Sequence, residues 1–148
     1  MTLTHEPKQG RLGFQLAYGD TDTVGIAYFS IYYRWMERCY STWLYSHGIR
    51  SGQMAEDLDT VTVGISSGCR YVDTVEVFDE IVCQAVADRI GSSSYAVGFE
   101  FTRGDQLVSK GQMVFAARNP ADFSKKAIPD RLLEVIKTLP APRFEVTV

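Results

Sequence analysis

Residues 28–47, YFSIYYRWMERCYSTWLYSH, decide the fold. Neither Gly nor Pro interrupts them, and Gly48 follows as a C-terminal stop, so the stretch predicts one long helix. Its apolar side chains form two rows at four-residue spacing: Ile31, Trp35, Cys39 and Trp43, and beside them Tyr28, Tyr32, Met36, Tyr40 and Leu44. Only Arg34, Glu37 and Arg38 are charged. Most of the circumference of this helix is therefore expected to be buried against other elements. We therefore expect a sheet that curls about it.

Alternating apolar and polar residues predict the strands of that sheet. One strand, residues 11–18, precedes the helix, and residues 50–60 are expected to be a loop or a frayed short helix. Four further strands are predicted at residues 61–74, 80–90, 94–103 and 107–117. A short amphipathic helix then opens at Pro129 and closes at Pro140, with its inward residues at Leu132, Leu133, Ile136 and Leu139. This order predicts an α+β fold in which a curved antiparallel sheet wraps a central helix.

Composition predicts one domain over residues 1–148, with loose tails at 1–10 and 141–148. Hydrophobic residues make up 45% and charged residues 22%, as in ordinary globular proteins. A net charge of −3 argues against a nucleic-acid partner, and the lack of a long apolar run argues against a membrane partner. The first ten residues lack the apolar stretch of a secretory signal, and the three cysteines are widely spaced, so we expect a cytoplasmic protein.

A polar turn bracketed by glycines, residues 19–25, lies between the first strand and the helix. It carries Asp20 and Asp22, and turn aspartates most often only support the backbone. Here, however, a carboxylate stands close to a helix N-terminus, whose free N–H groups carry positive partial charge. A base or nucleophile beside N–H donors for a carbonyl oxygen is an acyl-transfer site in two parts.

The run YGDTDTVGIAYF at residues 18–29, followed by YRWMER at residues 33–38, resembles the opening motif of the 4-hydroxybenzoyl-CoA thioesterase-like branch of the hotdog-fold thioesterases. The similarity extends over nearly the whole chain in element order. It implies the hotdog fold, hydrolysis of an acyl-CoA to the free acid and CoA, and a homo-oligomer, either a dimer or a tetramer. It implies no metal and no cofactor other than the coenzyme A of the substrate and product.

Matched residue by residue, the resemblance gives the catalytic carboxylate to Asp22 and a turn-supporting role to Asp20. Gly25 matches the glycine that lets the backbone approach the thioester. The backbone N–H of Phe29, at the start of the helix, matches the oxyanion-hole donor. Many relatives have His in place of Phe29 and Asn in place of Ile31, so Asp22 is the one strong acid–base group in this motif.

Substrate contacts follow from the same resemblance and from the phosphates of coenzyme A. Near Asp22, a bulky or aromatic acyl group is expected to meet Ile26, Tyr28 and Tyr32. The nucleotide or pantetheine contacts are expected at Arg89, Ser93, Ser94, Lys125 and Lys126, with the lysines reaching the phosphates from the same or a partner subunit. The resemblance also implies that a partner subunit completes each active site.

Several alternatives stay open from the sequence. Asp22 either attacks the carbonyl directly or activates a water as general base. The acyl group is carried either by CoA or by an acyl carrier protein, for instance as a polyketide chain, and a non-catalytic acyl-binding protein is a further alternative. Cysteine nucleophiles at Cys39, Cys69 or Cys83 are disfavoured, since buried cysteines are common and no base is near.

Overall fold

The computed structural model describes residues 5–148. Within these residues, five strands form one antiparallel sheet in the order β1-β3-β4-β5-β2. The strands are β1 (Arg11–Gln15), β2 (Val61–Tyr71), β3 (Glu80–Ile90), β4 (Ser94–Arg103) and β5 (Gln106–Arg118). The α-helices are α1 (Ile31–Ser46), α2 (Met54–Leu58) and α3 (Asp130–Ile136). Short 3-10 turns lie at Pro7–Gln9, Tyr18–Asp20 and Ser51–Gln53.

Aromatic contacts place α1 across one face of the sheet. The ring of Trp35 lies 4.6 Å from that of Phe14 on β1 and 6.2 Å from that of Phe101 on β4. One and a half turns further along, Tyr40 stacks on Phe115 of β5 at 4.7 Å. The helix and the inward side chains of the strands thus share one core, an arrangement consistent with a hotdog thioesterase fold.

The helix is shorter than predicted, at 16 residues, and begins at Ile31 rather than Tyr28. The N–H of Tyr28 donates to the Asp20 carbonyl, and the N–H of Ile31 donates to the Tyr28 carbonyl, which makes residues 28–30 a turn. Both apolar rows are buried from residue 32 onward, but Arg34, Glu37 and Arg38 face away from the sheet. The sheet therefore covers one side of α1 rather than surrounding it. No helix within residues 5–148 has the length and apolar character needed to cross a membrane.

Two predicted strands end early, and both ends shape the region around the Asp22 turn. Strand β1 stops at Gln15, after which the Leu16 N–H donates to the carbonyl of Asp79. Strand β2 stops at Tyr71, and residues 72–75 turn toward the segment that precedes α1. The predicted frayed helix over residues 50–60 consists of a 3-10 turn followed by α2.

The C-terminal residues depart from the expectation of a loose tail. Residues 140–148, here called the C-terminal strap, cross the sheet face opposite α1. The Pro140 carbonyl accepts from the Ala87 N–H at 2.7 Å, and the N–H groups of Arg143 and Phe144 donate to the buried carboxylate of Glu100. The N-terminal segment is ordered from the first described residues too, because a β-bridge joins Glu6 to Arg11.

Gly111 on β5 lies directly against a side chain of α1. It pairs with Phe99 in the β4–β5 ladder, and a Cβ at this position would overlap the sulfur of the fully buried Met36. We expect Gly111→Ala to lower the free energy of unfolding by about 1–3 kcal/mol, the usual cost of overpacking a core. Urea denaturation measures this. Gly52→Ala is the matched control, since a Cβ there meets nothing within 4 Å.

A second variant separates overpacking from any intrinsic effect of removing a glycine from a strand. Combined with Met36→Ala, the Gly111→Ala change should cost less than it does alone, because the shorter side chain vacates the overlapped space. Full additivity of the two changes would contradict the contact between Gly111 and Met36.

Candidate active site

The Asp22 turn holds its carboxylate in a fixed place. The Asp22 N–H donates to the Ile26 carbonyl, and the Gly25 N–H donates to the Asp22 carbonyl, each at 3.0 Å. Gly25 adopts φ +90°, which favours glycine because a side chain would strain the backbone there. One carboxylate oxygen, Oδ1, accepts the N–H of Val24 at 2.8 Å. The turn thus orients the carboxylate through one oxygen.

Asp20 has a different position. Its Oδ2 accepts the Ala17 N–H at 2.8 Å, and its carbonyl accepts the Tyr28 N–H at 2.9 Å. The residue lines a separate cavity with Arg34 and Trp35 and not the one that contains Asp22. Asp20 therefore ties together the two ends of the turn.

Asp22 lies in the wall of a cavity of about 350 Å³. From the turn and the start of α1, the lining residues are Asp22, Ile26, Ala27, Phe29 and Tyr32. The opposite wall is formed by the segment after β2, namely Tyr71, Val72, Asp73, Thr74 and Val75. Four of the residues expected from the sequence thus meet in one place. Tyr28 does not line this cavity, and its ring packs on that of Phe29 at 4.7 Å.

Residues 71–75 were not expected at the site, because their apolar pattern predicts a continuing strand. They are held by the Ala27 N–H, which donates to the Val75 carbonyl at 2.7 Å. From the end of β4, Arg103 binds the carboxylates of Asp73 and Asp79 at 3.0 and 2.8 Å. Asp73 and Asp79, which lie shortly before β3, are the sequence signal that could have indicated a loop held by an arginine.

The backbone at Phe29 presents a free donor near Asp22. Phe29 lies two residues before α1, in the turn, and not at the helix start as expected. Its carbonyl accepts the Tyr71 hydroxyl. Within residues 5–148, the Phe29 N–H donates no hydrogen bond. Asp22 and Phe29 line the same cavity, so a carboxylate residue and a residue with an unused backbone donor lie together there.

Burial keeps Tyr32 and Cys69, in and beside this cavity, neutral. It raises the pKa of Tyr32 to about 12, with a smaller contribution from the neighbouring Tyr71. Burial likewise raises the pKa of the Cys69 thiol to about 11, so this cysteine is a thiol rather than a nucleophilic thiolate at neutral pH. Asp73 has a lowered pKa, first because the Thr74 N–H donates to its carboxylate. Within the described residues, no group of three or more His, Cys, Asp or Glu could hold a metal ion.

The residues expected to bind the coenzyme A nucleotide do not line this cavity within one chain. Arg89 borders a separate cavity of about 520 Å³ beneath the C-terminal strap. The Ser93 carbonyl accepts the Ala117 N–H, and Ser94 is paired in the sheet. Lys125 forms a backbone bridge with Arg118, while the Lys126 ammonium lies 3.2 Å from the carboxylate of Asp59.

Comparison with known proteins defines the class to which this fold and site belong. The family model of the thioesterase superfamily matches residues 24–110, more than half of the chain. The chain therefore belongs to the thioesterase superfamily and is a thioester hydrolase. The match begins two residues after Asp22, so the carboxylate itself stands just outside the matched range.

Individual relatives match this chain, in sequence or in structure, over most of their length. A 1,4-dihydroxy-2-naphthoyl-CoA hydrolase of Prochlorococcus marinus (strain NATL2A) is 22% identical over 125 residues, which cover 78% of this chain and 79% of the relative. The crystal structure of Slr0204, a 1,4-dihydroxy-2-naphthoyl-CoA thioesterase from Synechocystis, superposes with a TM-score of 0.78 at 16% identity, over 86% of this chain and 94% of that one. The structure of BH1999 gentisyl-coenzyme A thioesterase superposes with a TM-score of 0.73 at 18% identity. The superposition covers 85% of this chain and 98% of that one.

Proposed function

We propose that this protein hydrolyses an acyl-CoA thioester to the free carboxylic acid and CoA, with Asp22 as the catalytic carboxylate. The observation that carries the proposal is the shared cavity, which is lined by Asp22 and by Phe29, whose N–H donates no hydrogen bond within residues 5–148. Family membership supports the reaction class, and the names of the relatives support CoA as the carrier of the acyl group.

In the proposed reaction, the thioester carbonyl oxygen accepts the Phe29 N–H, which stabilises the negative charge that develops on this oxygen. Two routes fit the geometry. In one, an Asp22 oxygen attacks the carbonyl carbon, the CoA thiolate leaves, and water hydrolyses the mixed anhydride. In the other, Asp22 takes a proton from a water that attacks the carbonyl carbon directly. Gly25 gives the turn the shape that lets its backbone approach the thioester.

A flat, aromatic acyl group suits the lining of the cavity. Rings from Phe29, Tyr32 and Tyr71 border it, and aromatic groups pack well against such rings. The volume of about 350 Å³ is at the small end of ligand pockets. Ile26 adds an aliphatic contact beside Asp22. The naphthoyl and gentisyl groups in the names of the relatives are aromatic as well.

We also propose that the protein acts as a homo-oligomer, a dimer or a tetramer. In the part of the chain that the structure describes, strand β2 is an edge of the sheet and carries an exposed Ile65. Such an edge is suited to pairing with a second copy. Since the predicted nucleotide contacts do not line the Asp22 cavity of the same chain, a partner subunit is the proposed source of them. Those contacts are Arg89, Ser93, Ser94, Lys125 and Lys126.

The test is thiol release from a panel of aromatic and aliphatic acyl-CoAs. We expect turnover of at least one aromatic acyl-CoA, with a kcat/KM above that for aliphatic chains. The same acyl group on pantetheine, which lacks the nucleotide, should raise KM because the phosphate contacts are missing. If thiol is released only from acyl groups attached to a carrier protein, the substrate is an acyl carrier protein thioester and not an acyl-CoA. Binding without release of thiol from any substrate would identify an acyl-binding protein instead.

A further inference from the structure

Two hydrogen bonds fix the backbone on both sides of the Phe29 Cα atom. The peptide before it is fixed through its carbonyl, that of Tyr28, which accepts the Ile31 N–H at 2.9 Å. The peptide after it is fixed through the Phe29 carbonyl, which accepts the Tyr71 hydroxyl. A peptide group is planar, so holding its carbonyl also fixes the direction of its N–H. The Phe29 N–H belongs to the first of these peptides. The bond from Tyr71 holds the second peptide, and so limits rotation about the two backbone bonds of the Phe29 Cα that join the peptides.

The two bonds differ in origin. The bond from Ile31 is local and forms with the first turn of α1. The bond from Tyr71 joins residues 42 positions apart, across the cavity, and it comes from a side chain at the end of β2. Tyr71 is 46% exposed, so its hydroxyl is not needed to satisfy a buried polar group. This observation points to a role at the site rather than in folding.

Arg103 fixes the position from which Tyr71 acts. Its guanidinium binds Asp73 and Asp79 and also donates to the Thr74 carbonyl at 3.0 Å. Gln106 adds a bond to the Asp73 carboxylate at 2.6 Å. The segment directly after Tyr71 is therefore tied to the β4–β5 hairpin. The Tyr71 hydroxyl therefore reaches Phe29 from a segment that these bonds fix, and not from a free strand end.

We propose that Tyr71 is a positioning residue. By holding the Phe29 carbonyl it limits rotation about the Phe29 Cα, and so keeps the Phe29 N–H of the preceding peptide aimed at the thioester oxygen beside Asp22. Tyr71 touches no reacting atom in this role and acts through Phe29. Small misplacements of catalytic groups reduce rates strongly, and a donor of this kind acts mainly on the transition state. The inference rests on the proposed function.

The test compares Tyr71→Phe with Tyr45→Phe. The first variant loses the hydroxyl that binds the Phe29 carbonyl, whereas the second loses the same atom from a 70% exposed position on α1. We expect Tyr71→Phe to lower kcat by about tenfold with KM nearly unchanged. Tyr45→Phe should match the wild type in both constants. Amide hydrogen exchange at residues 28–31 should be faster in Tyr71→Phe, and thermal unfolding of the two variants should coincide.

Each outcome has a separate meaning. If the wild type releases thiol from its substrate and Tyr71→Phe does so with the same kcat, the positioning role is refuted while the proposed function stands. A rise in KM alone would also refute it, since that result assigns Tyr71 to substrate binding. If the wild type hydrolyses no thioester, the proposed function fails. The hydrogen-exchange comparison then still decides whether Tyr71 fixes the Phe29 backbone.

Discussion

Asp22→Asn is expected to lower kcat for thioester hydrolysis by about 10²–10⁴-fold, the range for loss of a general base, and by more if Asp22 is the nucleophile. An amide neither takes up a proton at neutral pH nor attacks a thioester. The substitution preserves the turn, because the Asn oxygen can still accept the Val24 N–H that Asp22 Oδ1 accepts at 2.8 Å. The loss should therefore appear in activity and not in stability.

The neighbouring aspartate supplies the matched control for this prediction. In Asp20→Asn, the amide oxygen can still accept the Ala17 N–H, and the residue does not line the Asp22 cavity. We expect this variant to keep kcat within a few-fold of the wild type. Thiol release and urea denaturation of both variants, measured side by side, make the comparison. Equal activity of wild type and Asp22→Asn would remove Asp22 from the mechanism.

A single turnover in ¹⁸O-labelled water can then reveal the nucleophilic route. With enzyme in excess over substrate, attack of water on the Asp22 carbonyl of a mixed anhydride leaves ¹⁸O in the protein. In the general-base route, the label enters only the free acid. Mass spectrometry of the peptide that contains Asp22 detects the first case. Label found there would establish that Asp22 attacks the thioester carbonyl.

The core could be predicted from the sequence because its signal is periodic. Four-residue spacing placed Trp35 and Tyr40 toward a sheet, and alternation along β4 placed Phe101 toward the helix. The start of α1 could not be placed in this way. Tyr28 continues the apolar row, but its N–H is taken by the Asp20 carbonyl, which lies outside the helix. A hydrogen bond between two turns leaves no trace in a hydrophobic pattern.

Only one half of the candidate site could be predicted from the sequence. Asp22, Gly25 and Phe29 lie in one short stretch, and its resemblance to a family motif is what grouped them. Tyr71 reaches the same cavity only through folding, and its neighbours resemble a continuing strand. What turns the chain there is the ion pair of Arg103 with Asp73, which joins positions 30 residues apart. Asp73 and Asp79 indicate that this loop binds a cation, but a single sequence does not show which arginine supplies it.

The C-terminal strap was missed for a related reason. Residues 141–148 were expected to be loose because terminal segments are usually frayed, although Phe144, Val146 and Val148 alternate with polar residues as in a strand. The strap is held instead by the backbone, since the N–H groups of Arg143 and Phe144 bind Glu100 at 3.0–3.1 Å. Glu100 lies among apolar residues in β4, so its charge was the sequence signal that another segment binds there. A carboxylate in the middle of a buried strand requires partners.

Glu100→Ala is expected to lower the free energy of unfolding by about 3–5 kcal/mol, the cost of breaking a buried ion pair from one side. The Glu100 side chain is 1% exposed, and the Lys110 ammonium lies 3.4 Å from its carboxylate with 11% of that side chain exposed. Removal of the carboxylate leaves this ammonium with the Phe144 carbonyl as its remaining partner, at 2.6 Å. It also leaves the two strap N–H groups without an acceptor. Urea denaturation measures the loss.

Two further variants make the assignment specific. Glu145→Ala removes an exposed carboxylate from the strap itself and should change stability by less than about 0.5 kcal/mol, as is usual for surface positions. In the double variant Glu100→Leu/Lys110→Met, no buried charge is left alone, so stability should recover part of the loss. If the double variant is less stable than Glu100→Ala, the destabilisation comes from lost packing rather than from an unpaired ammonium.

Release of the strap is measured separately by trypsin, which cleaves after arginine. In the wild type, the N–H groups of Arg143 and Phe144 are bound, and in Glu100→Ala this peptide bond should be cut faster under native conditions. Glu100 points away from α1, while its neighbours Phe99 and Phe101 point into the core beneath the helix. Activity per folded molecule should therefore stay near the wild-type value. A loss of kcat without unfolding would instead couple the strap to the Asp22 site through the sheet.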